Sequence, residues 1–350
     1  MTNPDQLRRR GRQAVRAVGF VLYVLLCCEV LIRLVSHFMQ LYDIEMLRYA
    51  RDLKVRSSQP GLSHEHRARR SAHLMGVEIT LNSLGHRSPE LAQPKPPNEK
   101  RVYFMGSSIT LGWGVTEDQA FPALVVSQLN QDGRGAGAPA FVAVNAGVGN
   151  YNTVHEVDLL ARQMDQVQPD LVVLQYYLND AEIKPGAPDN LLLAHSLFLA
   201  YLTQRVKVAA SLRRGSLVDY YRGLYGPGRP GWQQAVAALA RLRALCHDRR
   251  LPLVAALVPE VHDLRPNGPY QPLYEQIKGA MAEQGVRVID TTPALQAAFA
   301  AAPESAWVGR DDPHPSAAAH AVIARVLASA LLADPIGVGV GDASPAAPGR

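Results

Sequence analysis

RVYFMGSSITLGWGV, residues 101–115, begins as a short apolar run and turns at a glycine into small hydroxyl residues. The run has the length and bulk of a buried strand, and Gly106 permits a sharp turn into a helix or tight loop starting near Ser108. By itself the stretch leaves Ser108 either a nucleophile or a helix cap. Its surroundings settle the architecture first. The runs AFVAVN (140–145), DLVVLQYY (170–177), LPLVAALV (251–258) and VRVID (286–290) alternate with helical stretches, and the last helix is rich in Ala and Leu. This alternation predicts an α/β fold with three α/β/α layers of the flavodoxin-like type, built on a mostly parallel five-stranded sheet. The domain is expected over 100–333. A partly helical insertion at 181–230 interrupts it, with an apolar face expected to pack on the domain and form part of a substrate wall.

Composition narrows the class. The 350 residues are 47% hydrophobic, ample for a buried core. The net charge of +5 is concentrated at Arg8, Arg9, Arg10, Arg12 and Arg16 and again at Arg67, Arg69 and Arg70. Neither cluster interleaves aromatics, which points to solvent or a membrane surface and away from nucleic acid. Three cysteines give no disulfide framework. Cys27 and Cys28 sit together in an apolar run, and Cys246 reads as a small core residue.

AVGFVLYVLLCCEVLIRLV, residues 17–35, is long enough for a bilayer core, and its Glu29 and Arg33 are spaced to pair on a helix. No small-residue cleavage site follows, so 17–36 is expected to be an uncleaved transmembrane anchor. The basic segment 1–16 is then cytoplasmic and the rest periplasmic, anchored in the inner membrane, although Arg48, Arg51 and Lys54 on the far side oppose that orientation. Residues 37–99, broken by Pro60, Gly61, Pro94, Pro96 and Pro97, read as a juxtamembrane linker with one short strand at 77–83. The tail 334–350 reads as disordered.

In a parallel sheet, sites collect at the carboxyl ends of strands. Those ends carry Gly106-Ser107-Ser108, the turn Asn145 to Asn150, and Asn179-Asp180, while Asp311-Asp312-Pro313-His314-Pro315 precedes the last helix. A serine nucleophile needs a base. Of the eleven histidines, His314 stands apart, with prolines on both sides and Asp311 three residues before it. An aspartate on one ring nitrogen leaves the other to accept a serine proton, a part open to Asp311 or to Asp312. Donors for an oxyanion are the Ser108 N–H, an N–H in the 147–150 turn and the Asn179 amide. His64 and His66 lie in the polar run HEHRARR, and His86, His155, His195, His247 and His262 have no patterned partner nearby. His314 and His320, six apart, do not share a helix face, so no metal is expected, and nothing calls for a cofactor.

Gly-Ser-Ser, a glycine-rich turn, Asn-Asp and Asp-x-x-His in this order resemble the SGNH hydrolases, the GDSL esterase/lipase superfamily, over roughly 100–332. LNSLGHRSPE (81–90) is also similar to a lead-in of membrane-anchored members. The resemblance implies Ser108, Asp311 and His314 as the catalytic triad. It implies an oxyanion hole made by Ser108, the block II position at Asn150 or Gly149, and Asn179. Two positions depart from the family: Ser107 replaces its aspartate, and Asn150 its glycine donor. Asparagine tolerates left-handed geometry better than most residues, and its N–H survives.

The expected function is a serine esterase acting through an acyl-enzyme on O-acyl, especially O-acetyl, esters of a cell-surface carbohydrate or lipid. Partners follow from that: the acylated substrate, the membrane and machinery of polysaccharide synthesis. The alternatives are an O-acyltransferase using the same triad and a catalytically silent binding or assembly protein of the same fold.

Overall fold

The computed structural model describes residues 4–59, 61–132, 139–184, 196–212, 215–310 and 312–333. Asp311, the tail 334–350 and part of the insertion therefore lie outside the described residues. The chain divides into two compact units, one comprising 1–51 with 188–215 and the other 52–187 with 216–350.

The first unit contains the helix Pro4–Phe38, whose stretch Arg9–Ser36 is long and apolar enough to cross a membrane. Glu29 pairs with Arg33 at 2.6 Å, as their spacing predicts. The same carboxylate accepts hydrogen bonds from the Ser196 hydroxyl (2.8 Å) and the N–H groups of Leu197 (3.1 Å) and Phe198 (2.9 Å). It thereby satisfies amides that the start of helix Leu197–Leu212 leaves open. That helix of the insertion groups with the N-terminal helix, where the sequence suggested packing on the catalytic domain.

The second unit is built on five parallel strands: β5 (Glu99–Met105), β6 (Ala140–Asn145), β7 (Leu171–Tyr176), β8 (Leu253–Leu257) and β9 (Arg287–Asp290), in the order β6-β5-β7-β8-β9. This is the flavodoxin-like order. Val102 to Met105 and Leu171 to Leu174 are all buried, because helices such as Phe121–Asp132 and Thr153–Val167 supply apolar residues to the core against the sheet. Strand order reverses at β5, so the loops after β6, β5 and β7 open beside one another at the carboxyl edge.

Residues 52–99, read from sequence as a linker, carry two hairpins. β1 (Lys54–Arg56) pairs with β2 (His64–His66), and β3 (Ser71–Leu74) with β4 (Val77–Thr80), all antiparallel. β4 falls within the strand expected at 77–83. Polar side chains hold this segment: Arg87, His86 and Asn82 are buried. A last hairpin, β10 (Trp307–Gly309) with β11 (Asp312–Pro315), precedes helix Ala317–Ala333.

Candidate active site

β5 ends at Met105, the chain turns at Gly106, and a four-residue helix Ser108–Leu111 follows. A Cβ at Gly106 would lie 2.1 Å from the Thr110 hydroxyl, so only glycine fits this turn. The loop after β6 presses on the same helix. A Cβ at Gly147 would lie 2.3 Å from the Leu111 nitrogen, and the Val148 N–H donates to the Gly106 carbonyl at 3.1 Å.

Arg87 caps the carboxyl end of this short helix and the loop that follows it. Its guanidinium, 1% exposed, donates to the carbonyls of Leu111 (3.0 Å), Gly112 (2.6 Å), Val115 (2.9 Å) and Glu78 (3.0 Å). Arg87 had no part in the sequence reading beyond the lead-in motif.

Ser108 is half-buried, and its Oγ lies 2.7 Å from His314 Nε2. His314 Nδ1 lies 2.5 Å from Asp312 Oδ1, which also accepts the His314 backbone N–H at 3.1 Å. With a carboxylate at Nδ1, the proton sits there and Nε2 is free to accept from Ser108. The carboxylate at the imidazole thus belongs to Asp312, where the sequence reading favoured Asp311. The reason is the strand: Asp312 and His314 are two apart in β11 and share a face, which a spacing of three does not give. Trp113 Nε1 donates to Asp312 Oδ2 at 3.1 Å, a contact that sequence reasoning missed. Asp312 and His314 are 2% and 5% exposed, so the chain from carboxylate to serine is shielded from water.

The other predicted residues surround this line on neighbouring strand ends. Asn150 adopts φ 68°, the left-handed geometry its position demands. Neither its N–H nor that of Ser108 donates to another backbone group among the described residues. Gly149 contributes its carbonyl to Lys54 Nζ (2.5 Å) and His64 Nε2 (3.0 Å). Asn179 follows β7, and its buried Oδ1 has no hydrogen-bond partner among the described residues. The adjacent Asp180 accepts from the Tyr177 N–H (2.7 Å) and the Thr153 hydroxyl (2.9 Å), while burial pushes its carboxyl up to about 7.

Burial also pulls the Lys54 amine down to about 7, with Lys184 adding to the effect, and the His64 imidazole down to about 3. Tyr177 hydrogen-bonds Glu260 and meets Tyr221 edge-on at 6.2 Å, placing the helix Leu217–Leu224 beside the Asn179 turn. His320 receives the Phe121 N–H (3.2 Å). No group of three metal-ligating side chains occurs among the described residues.

A half-buried serine, an imidazole and a carboxylate are joined in one line at the carboxyl edge of a flavodoxin-like sheet, the constellation of a hydrolase of α/β/α architecture. Residues 104–322, more than half of the chain, match the GDSL-like lipase/acylhydrolase family, and the chain belongs to that family. It is an ester hydrolase.

Among solved structures it is similar to a lipase/acylhydrolase from Enterococcus faecalis, with 15% identity over 66% of this chain and 95% of that one and a TM-score of 0.39. An acetylxylan esterase from Geobacillus stearothermophilus has 17% identity over 69% and 94%, with a TM-score of 0.39. A two-domain esterase active on acetylated mannans has 15% identity over 72% and 53%, with a TM-score of 0.43. No curated protein matches the chain.

Proposed function

We propose that the protein is a membrane-anchored serine esterase that removes O-acyl, chiefly O-acetyl, groups from a carbohydrate or lipid at the cell surface. The observation that carries this is the unbroken line Asp312–His314–Ser108, with contacts of 2.5 and 2.7 Å. Ser108 Oγ attacks the ester carbonyl as His314 Nε2 takes its proton. The oxyanion is met by the N–H groups of Ser108 and Asn150 and the Asn179 amide. Collapse expels the alcohol, which takes the proton from His314, and leaves an acyl group on Ser108. Water then attacks with His314 as base, and the acid departs. Asp312 orients the ring and stabilises the imidazolium. The N-terminal helix is the anchor, and the arginines before it favour a periplasmic active site at the inner membrane, beside the machinery of polysaccharide synthesis.

The test is hydrolysis of p-nitrophenyl acetate by the full-length protein in detergent. Ser108→Ala and His314→Ala are expected to lower kcat by roughly 10³-fold or more, and Asp312→Asn by about as much, whereas Asp311→Asn stays within roughly threefold of wild type. Equal rates for wild type and Ser108→Ala would end this reading. Product analysis with a sugar acceptor separates transfer from hydrolysis.

A further inference from the structure

We infer that Lys54 and His64 are positioning residues, gripping the Gly149 carbonyl so that the Asn150 N–H is held toward the oxyanion. The inference rests on the reading of Ser108 as nucleophile. Residues 148–151 form a turn closed by the Tyr151 N–H on the Val148 carbonyl at 3.1 Å. Gly149 lies outside the left-handed region and Asn150 within it, the type II sign pattern.

The peptide joining Gly149 to Asn150 is the middle one of this turn, and it takes no part in the closing hydrogen bond. It is the unit that flips when a type II turn becomes type I, and type I is the form most residues other than glycine prefer. The peptide is planar and trans, so its C=O and N–H point in opposite directions. Two donors on the oxygen therefore fix the direction of the hydrogen. Without them the asparagine, for which a positive φ costs more than for the family's glycine, resists the flip less than glycine would, and after a flip a carbonyl oxygen would face the developing negative charge.

Both donors come from one hairpin. Lys54 and His64 lie on the same face of β1 and β2, a diagonal pair in the register Lys54↔His66 and Arg56↔His64. The Ser63 hydroxyl at His64 Nδ1 (2.9 Å) leaves Nε2 as the donor to Gly149. The His64 ring meets Tyr151 edge-on at 5.0 Å, and the Tyr151 hydroxyl donates to the His64 carbonyl, so the hairpin holds both ends of the turn's second half.

The experiment uses full-length protein in detergent with p-nitrophenyl acetate, reading kcat and KM separately. Lys54→Met and His64→Leu are expected to lower kcat about 10- to 100-fold with KM within roughly twofold, a weakened oxyanion donor being less costly than a deleted one. His64→Gln, which keeps a donor near the Nε2 position, is expected to restore kcat to within about fivefold of wild type. Circular dichroism melting of each variant gives the folded fraction. The inference is overturned if kcat is unchanged in both Lys54→Met and His64→Leu while Ser108→Ala is inactive. It is equally overturned if kcat falls only in step with the folded fraction and His64→Gln restores nothing. Activity surviving in Ser108→Ala would instead overturn the nucleophile itself, so the two failures are distinct.

Discussion

The parallel sheet and the segment from 52 to 99 belong to the same compact unit and both bury apolar residues, but the segment adds buried polar side chains directed at the backbone of the catalytic loops. The centre of the sheet is apolar: Phe104, Val172, Val173 and Leu174 are wholly buried, and their stability comes from area removed from water. The segment also buries polar groups, and three of its anchors reach backbone carbonyls: Arg87 those of Leu111, Gly112 and Val115, His66 that of Gly85, His64 that of Gly149. A sheet built on area gives the site its platform. A segment built on directed hydrogen bonds sets where individual peptides of the catalytic loops point.

The strongest way to break this comparison is to remove one anchor from each region. Arg87→Met removes a donor from four carbonyls in a buried site, and a loss of about 3–5 kcal/mol in urea unfolding is expected. Leu174→Ala in the sheet should cost a similar 2–5 kcal/mol or so through its cavity. The two are predicted to part on activity per folded molecule. Arg87→Met should lose about 100-fold or more in kcat, because the helix carrying Ser108 loses its carbonyl restraints, while Leu174→Ala stays within roughly threefold. Equal effects on kcat would erase the distinction.

The contrast also has a pH signature. Burial holds the imidazoles of His64 and His66 down to about 3 and that of His86 to about 4, against 6.5 when unfolded. Between those values the unfolded chain binds more protons than the folded one, so stability rises with pH there. The contribution is complete above about 6.5 and is lost as pH falls toward 3–4. By pH 5 each histidine should have withdrawn on the order of 2 kcal/mol. Urea midpoints between pH 7.5 and 5 check this, and His86→Leu should flatten the slope by one histidine's share. A midpoint that does not move with pH would show that the segment is not buried as described.

The same contrast governs what the sequence made legible. Five apolar runs at strand length announced the sheet, the rule that sites gather at carboxyl ends pointed to Ser108 and Asn179, and the flanking prolines and nearby aspartates singled out His314. Asp312 was harder. Proline-flanked DPHP reads as a loop, and only its strand conformation puts residues 312 and 314 on one face. Lys54, His64 and Arg87 could not be read at all, since charge and broken periodicity look like solvent exposure until their distant carbonyl partners are in place. The helix Leu197–Leu212 is a related case: its first amides reach the carboxylate of Glu29, 167 residues before Ser196 in the chain, a partner that no periodicity announces.

The smallest predicted effect tests how the polar segment reaches the chemistry. The carbonyls that Arg87 holds, those of Leu111, Gly112 and Val115, bracket Trp113, whose indole N–H is the donor at Asp312 Oδ2. Trp113→Phe keeps an aromatic ring in a fully buried site but deletes that donor, leaving Asp312 less firmly oriented toward His314. A loss of one charge-assisted hydrogen bond at this remove from the reacting atoms should lower kcat about tenfold, roughly 1.4 kcal/mol, with KM nearly unchanged. If Arg87 acts on catalysis mainly by placing this indole, Arg87→Met and Trp113→Phe share one route. The double variant should then fall short of the product of the single losses by several-fold. Independent, fully multiplicative losses would mean that Arg87 acts through the Ser108 helix alone, and that the indole restrains Asp312 without help from the hairpin segment.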